Sequence, residues 1–110
     1  MDPAAALALT LAIEVPIVAV ASCAGAQPVP VVHAIAAAVV ASAATHPVAW
    51  WLASHLAPDE VRAGFTLIEA GVALAETIPL AIGLRWSWRR ALLLSIACNG
   101  ASAGIGLLLG

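Results

Sequence analysis

Apolar residues run along the chain in four long blocks, each interrupted by a few polar side chains at helical spacing rather than alternating with them. Each block is long enough to form the helix of about 20 residues needed to cross a hydrocarbon core of about 30 Å. The pattern predicts helices over residues 3–24, 31–56, 59–84 and 87–109. Gly25, Pro28 and Pro30 punctuate the chain after the first block, Pro58 stands before the third, and Ser87 is placed to cap the fourth. Connections this short join antiparallel neighbours. The expected fold is therefore all-α, a single membrane domain over residues 1–110 built as a four-transmembrane-helix antiparallel bundle.

Within each block the polar positions fall on one stripe. Thr10 and Glu14 are one turn apart on the first helix; Ser42, Thr45 and His46 share a face of the second; Glu69 and Glu76 are two turns apart on the third; Ser95, Asn99 and Ser102 line one side of the fourth. Measured from the outer end of each expected helix at about 1.5 Å per residue, Glu14, His46, Glu69 and Asn99 lie at roughly 15–18 Å, with Glu76 about 10 Å deeper. An ionisable side chain at that depth costs roughly 2.5–3.5 kcal/mol to insert, so these groups are expected to face one another inside the bundle.

Composition agrees with this reading. The chain is 64% hydrophobic and 9% charged, and its mean hydropathy is +1.07, which excludes a soluble domain of this size. The net charge of −2 offers no basic field for nucleic acid. Arg85, Arg89 and Arg90 crowd the third loop, whereas the second carries Asp59, Glu60 and Arg62. Positive charge gathers on the cytoplasmic side of membrane proteins, so both termini are expected outside, in a bacterial inner membrane. Trp86 and Trp88 flank the Arg-rich loop as interfacial anchors, while Trp50 and Trp51 are expected about a turn and a half below the end of helix two.

Segments that imitate other signals are read as ordinary membrane helix. Ala24-Gly25-Ala26 resembles a signal cleavage site, yet the preceding stretch has no Lys or Arg and contains Glu14 and Pro16. Cys23 and Cys98 are expected at different depths, too far apart for a disulfide. His33 and His55 lie about 220° and 180° around the helix from His46, which leaves no histidine cluster for zinc. Gly100, Gly104 and Gly106 offer a close-approach surface to another helix, in the bundle or in a second copy.

The polar cluster carries the functional expectation. Three carboxyls and one imidazole, with no deep Lys or Arg, cannot all be charged in a low dielectric, so protons or a cation must neutralise them. Pro16, Pro47 and Pro79 would free the carbonyls of Ala12, Ala43 and Ala75, which broken membrane helices use in ion sites. The expected function is proton- or cation-coupled transport or ion binding by an oligomer. Glu14, His46, Glu69, Glu76 and Asn99 would bind the cation or proton, with Thr10, Ser42, Thr45, Ser95 and Ser102 supporting them. No catalytic residue, metal or cofactor is assigned. The partners expected are the lipid bilayer and either a second copy of the chain or a membrane-complex subunit. The alternatives are an accessory or structural subunit whose buried polar groups fix helix register, and an intramembrane hydrolase using Glu69 or Glu76 with His46, for which no paired metal motif or nucleophile is in place.

Glu14-x-Pro16, Thr45-His46-Pro47-x-x-Trp50, Glu69, Glu76 and Ser95-x-x-x-Asn99-x-x-Ser102-x-x-x-Gly106 together resemble a family of small uncharacterised bacterial four-helix integral membrane proteins. The resemblance spans all four helices, and Thr-His-Pro-x-x-Trp is its most specific part. It implies the fold and no activity. The family pattern has Asn three residues before the Thr, where this chain has Ser42. A glutamate in helix one of a short four-helix chain is also similar to the small multidrug resistance transporters. This chain lacks Tyr and their aromatic, Gly-rich third helix, so that likeness is an analogy.

Overall fold

A computed structural model of the protein describes residues 2–24 and 29–109, so Gly25 and Pro28, together with the last two residues of the Ala24-Gly25-Ala26 signal, lie outside the described residues. Four helices make up the fold: α1 (Pro3–Ser22), α2 (Val31–Ala53), α3 (Val61–Leu84) and α4 (Trp88–Leu109). Each is long and apolar enough to cross a membrane, the architecture of a multi-pass membrane protein. Each helix packs on its chain neighbours and α1 closes against α4, so the four form a ring. The bundle measures 46 × 24 × 21 Å, and its long axis is close to the roughly 40–45 Å of a bilayer with its headgroups. Val20, Leu67, Ile82, Leu93 and Leu107 project outward, as lipid-facing side chains must.

Local chemistry sets the helix ends. The Asp2 carboxylate accepts the amide of Ala5 at 2.7 Å, and Pro3 opens α1 where its missing N–H costs nothing. Ser87 caps α4 as its sequence position implies, accepting the amide of Arg90 at 3.4 Å. The second helix stops at Ala53 rather than running to Leu56. The Ser54 hydroxyl donates to the Trp51 carbonyl at 2.6 Å, and His55 Nδ1 meets the same oxygen at 2.7 Å, so side chains satisfy what a further turn would have. Trp50 and Trp51 consequently lie within the last turn of α2 instead of a turn and a half below its end, and Trp51 is exposed. The third helix starts at Val61, two residues later than expected, after a turn in which Glu60 accepts the Ala57 amide at 3.0 Å.

Packing is unequal along the bundle. The apolar core of Val18, Ala34, Ala37, Ala38, Leu80, Leu84, Ala91, Leu94 and Cys98 fills the half nearest the Arg85 to Arg90 loop. Small residues let α2 and α3 touch there. A Cβ on Gly83 would stand 2.4 Å from that of Ala37, so only glycine fits. Arg85 ends α3 in the left-handed region, with φ 56°, and Arg90 lies over the Trp86 ring at 4.6 Å. The half nearer the termini holds the polar side chains.

Candidate functional site

Every polar residue expected at membrane depth turns inward. Glu14 and Glu76 are 4% and 3% exposed, Ser42 and Ser95 are fully buried, and Thr10, Thr45, His46, Glu69 and Ser102 are half-buried. All of these except Glu69 and Ser95 line a single cavity of about 40 Å³, together with Asn99, Ala49 and Val72. All four helices contribute to it, because each presents its polar stripe to the axis of the ring.

Two carboxyls dominate the site, and each is held by a hydroxyl from a neighbouring helix. Ser42 Oγ on α2 donates to Glu76 Oε2 at 3.4 Å; Ser102 Oγ on α4 donates to Glu14 Oε2 at 3.1 Å. Ser102 also reaches the Asn99 carbonyl of its own helix at 3.3 Å. Beneath the cavity, Asn99 Nδ2 donates to the Ser95 carbonyl at 2.9 Å and to Ser95 Oγ at 3.4 Å. Ser95 Oγ in turn donates across to the Ala73 carbonyl of α3 at 2.7 Å. Ser95 thus supports the site from behind, clamping α4 to α3. Thr45 donates to the Ala41 carbonyl at 2.9 Å, spending its proton on its own helix and leaving its oxygen lone pairs to the cavity.

His46 differs from these satisfied groups. Its Nε2 is buried without a hydrogen-bond partner, the one such side-chain atom among the described residues, and its ring stands 6.2 Å from that of Trp50. A buried polar atom left unpaired costs roughly 1–3 kcal/mol, which sets His46 apart from the satisfied groups around it.

The depth order read from the sequence changes at α3. Glu76, not Glu69, shares a layer with Glu14, Ser42 and Asn99. Glu69 is two turns nearer the termini side and lines no part of the cavity. Depth measured from each helix end assumes that the ends are flush. Glu76 stands fifteen residues into α3, Glu14 eleven into α1, so α3 begins about 6 Å further out than α1.

The prolines also act differently from the expectation. Pro16, Pro47 and Pro79 all lie inside helices, but Ala12, Ala43 and Ala75, whose carbonyls they free, are exposed on the outward faces. None of the three alanines lines the cavity.

Thr77 escaped the sequence reading. It is fully buried and donates to the same Ala73 carbonyl as Ser95, at 2.7 Å. Its position four residues after Ala73 was the available signal. His33 and His55 lie at the two ends of the bundle, away from His46, and Cys23 and Cys98 are free thiols. Gly100 and Gly104 pack against nothing within the bundle, since a Cβ on either would meet no atom within 4 Å.

The chemistry available is narrow. Carboxylate, hydroxyl and amide oxygens converge without a guanidinium or ammonium, because all four arginines are exposed at helix ends. Among the described residues no three His, Cys, Asp or Glu side chains gather as metal ligands. Such a set can take up a proton or surround a hard monovalent cation. The chain matches no protein-family model, no curated protein and no solved structure at a significant level.

Proposed function

We propose that the protein is a proton- or cation-coupled carrier or channel of the bacterial inner membrane, working as an oligomer around Glu14 and Glu76. The observation that carries this reading is the pair of buried carboxyls on one 40 Å³ cavity, with the unpaired Nε2 of His46 beside them and no arginine or lysine on its walls to neutralise them. A carboxylate buried without a countercharge is too costly to persist, so each must hold a proton or share a cation. An arrangement able to exchange its neutralising charge supplies the elementary step of coupled transport. Glu14 and Glu76 bind or relay the charge, His46 is its proton partner, and Asn99, Ser42 and Ser102 orient the carboxyls.

The Arg-rich loop supports an orientation with both termini outside the cytoplasm, by the positive-inside rule. A bundle only 24 × 21 Å across leaves little room for a pathway of its own. Gly100 and Gly104, open on the surface of α4, offer the close approach a second copy would use.

The test is a proton signal from purified protein. Proton release on addition of Na⁺ or Li⁺, or proton flux in liposomes, is expected between about pH 5 and 9, where buried carboxyls and imidazoles titrate. Loss of the signal in Glu14→Gln or Glu76→Gln, with the fold intact, supports the reading. A silent wild-type protein across that range favours the other one, an accessory subunit of a membrane complex. The specific observation on that side is that Ser42, Ser95 and Ser102 each tie one helix to another, as register-fixing groups do.

A further inference from the structure

Next to the carboxyl cavity lies a second, larger one of about 290 Å³, lined by Ala6, Leu9, Thr10, Trp50, Ser102, Ala103 and Gly106. Thr10 and Ser102 belong to the walls of both. Ala6 and Gly106 lie one turn from the terminal ends of α1 and α4. The larger cavity is therefore a vestibule on the termini side, and the two shared hydroxyl residues form its floor. Below the carboxyls the situation reverses. Val18, Ala38, Leu80, Leu84 and Cys98 are each no more than 3% exposed and close the bundle toward the Arg-rich loop.

We infer that the Glu14 and Glu76 chamber is loaded from the termini side rather than the Arg side, through a neck made by Thr10 and Ser102 that passes a proton with its water or one bare alkali cation and stops organic solutes. The paired hydroxyls distinguish this neck from the wider, apolar groove between α2 and α3 that borders the chamber at Thr45, Ala49 and Val72. The inference rests on the ion-coupled reading of the same chamber and adds its entrance and its ligand class. Size sets the class. A cavity needs about 10–15 Å³ to hold a water, so 40 Å³ takes a few waters or a dehydrated ion and no organic substrate. The neck has the right chemistry for that traffic, since hydroxyl oxygens replace part of an ion's hydration shell. Ser102 also reads the state of the chamber. Its hydroxyl has two acceptors, Glu14 Oε2 at 3.1 Å and the Asn99 carbonyl at 3.3 Å. A charged Glu14 is the stronger acceptor and holds the hydroxyl toward α1. Once Glu14 is neutralised, the Asn99 carbonyl competes, and the neck side chain is free to turn.

Cysteine accessibility in vesicles of known sidedness tests the path. In a Cys23→Ser, Cys98→Ala background, Ala57→Cys marks the termini side, and the native Cys23, kept alone, marks the Arg side. Thr10→Cys, Ala103→Cys and Ser102→Cys should react with the bulky trimethylammonium-ethyl methanethiosulfonate from the side that labels Ala57→Cys, about tenfold or more faster than from the other, because thiol modification follows access. Ala38→Cys should react from neither side. Inside the chamber, Ser42→Cys should resist that reagent and yet bind Ag⁺, a bare monovalent cation, from the termini side.

Vestibule thiols that react equally from both sides, or faster from the Cys23 side, overturn the path. So does a Ser42→Cys that takes the bulky reagent as readily as Ag⁺. Failure of the transport reading shows separately: one-sided labelling without proton flux leaves the entrance standing and removes the carrier, whereas flux with two-sided labelling does the opposite.

Discussion

Ser102 on α4 donates its hydroxyl to Glu14 on α1 at 3.1 Å, joining the first and last helices of the ring. The contact spans nearly the whole chain, and its acceptor is 4% exposed. Ser102→Ala removes the donor and leaves the acceptor in place. Interhelical hydrogen bonds in membranes average about 0.6 kcal/mol and reach about 1.7, whereas a hydrogen bond to a charged group contributes roughly 1.5–3 kcal/mol. A loss near the lower figure in detergent unfolding means that Glu14 is neutral in the folded protein. A loss above about 2 kcal/mol means that it is charged. Ser102→Thr should restore most of either.

Glycines that look alike in the sequence should respond oppositely. Gly83→Ala puts a Cβ 2.4 Å from that of Ala37, and two helix backbones must part to admit it. Overpacking of this kind costs about 1–3 kcal/mol, more than the roughly 1 kcal/mol that alanine gains over glycine in a helix. Gly100→Ala meets nothing within 4 Å and should be neutral or stabilising in the monomer. Gly104→Leu should likewise leave the monomer folded but weaken a homodimer in mild detergent. Light scattering that gives the same mass for wild type and Gly104→Leu would remove this surface as the dimer contact.

The sequence revealed the bundle because apolar block length and polar stripes are set by the bilayer, whose demands are uniform. It also identified which faces turn inward, and all but two of the polar residues so chosen line one cavity. It misplaced Glu69 and Glu76 because depth depends on how far each helix protrudes, and that is settled by tertiary packing at the loops. At the start of α3, for instance, Leu56 of the preceding turn packs on Gly64. The prolines misled for a related reason. Pro16 and Pro47 mark where backbone bonds are missing, but only the rotation of each helix in the bundle decides whether the freed carbonyl faces the cavity or lipid.

The topology proposed from the charge asymmetry of the loops can be read directly. A reporter fused at the C-terminus should be active only in the form that works outside the cytoplasm, and Ala57→Cys should react with an impermeant reagent in intact cells. Replacing Arg85, Arg89 and Arg90 together by Ser removes the asymmetry of the third loop and should yield a mixed orientation. A C-terminus found in the cytoplasm of the unmodified protein would invert the sidedness of the vestibule and make it face the cell interior.

Glu69 provides the sharpest test, because sequence and structure give it different weight. By depth counting it belongs with Glu14, but it lines neither the carboxyl chamber nor the vestibule. Glutamine keeps the volume of the acid and most of its hydrogen bonds, so none of Glu14→Gln, Glu69→Gln and Glu76→Gln should unfold the protein. Their proton signals should differ. Glu14→Gln and Glu76→Gln remove a titrating group from the chamber and should abolish proton release on cation addition. Glu69→Gln acts only through its field on the other two carboxyls, at a separation of about two helical turns from Glu76. It should therefore leave the amplitude of the signal unchanged, since both carboxyls of the chamber remain. If Glu69→Gln silences the protein while Glu76→Gln does not, then charge moves along α3 outside the chamber, and the site must be redrawn around Glu69.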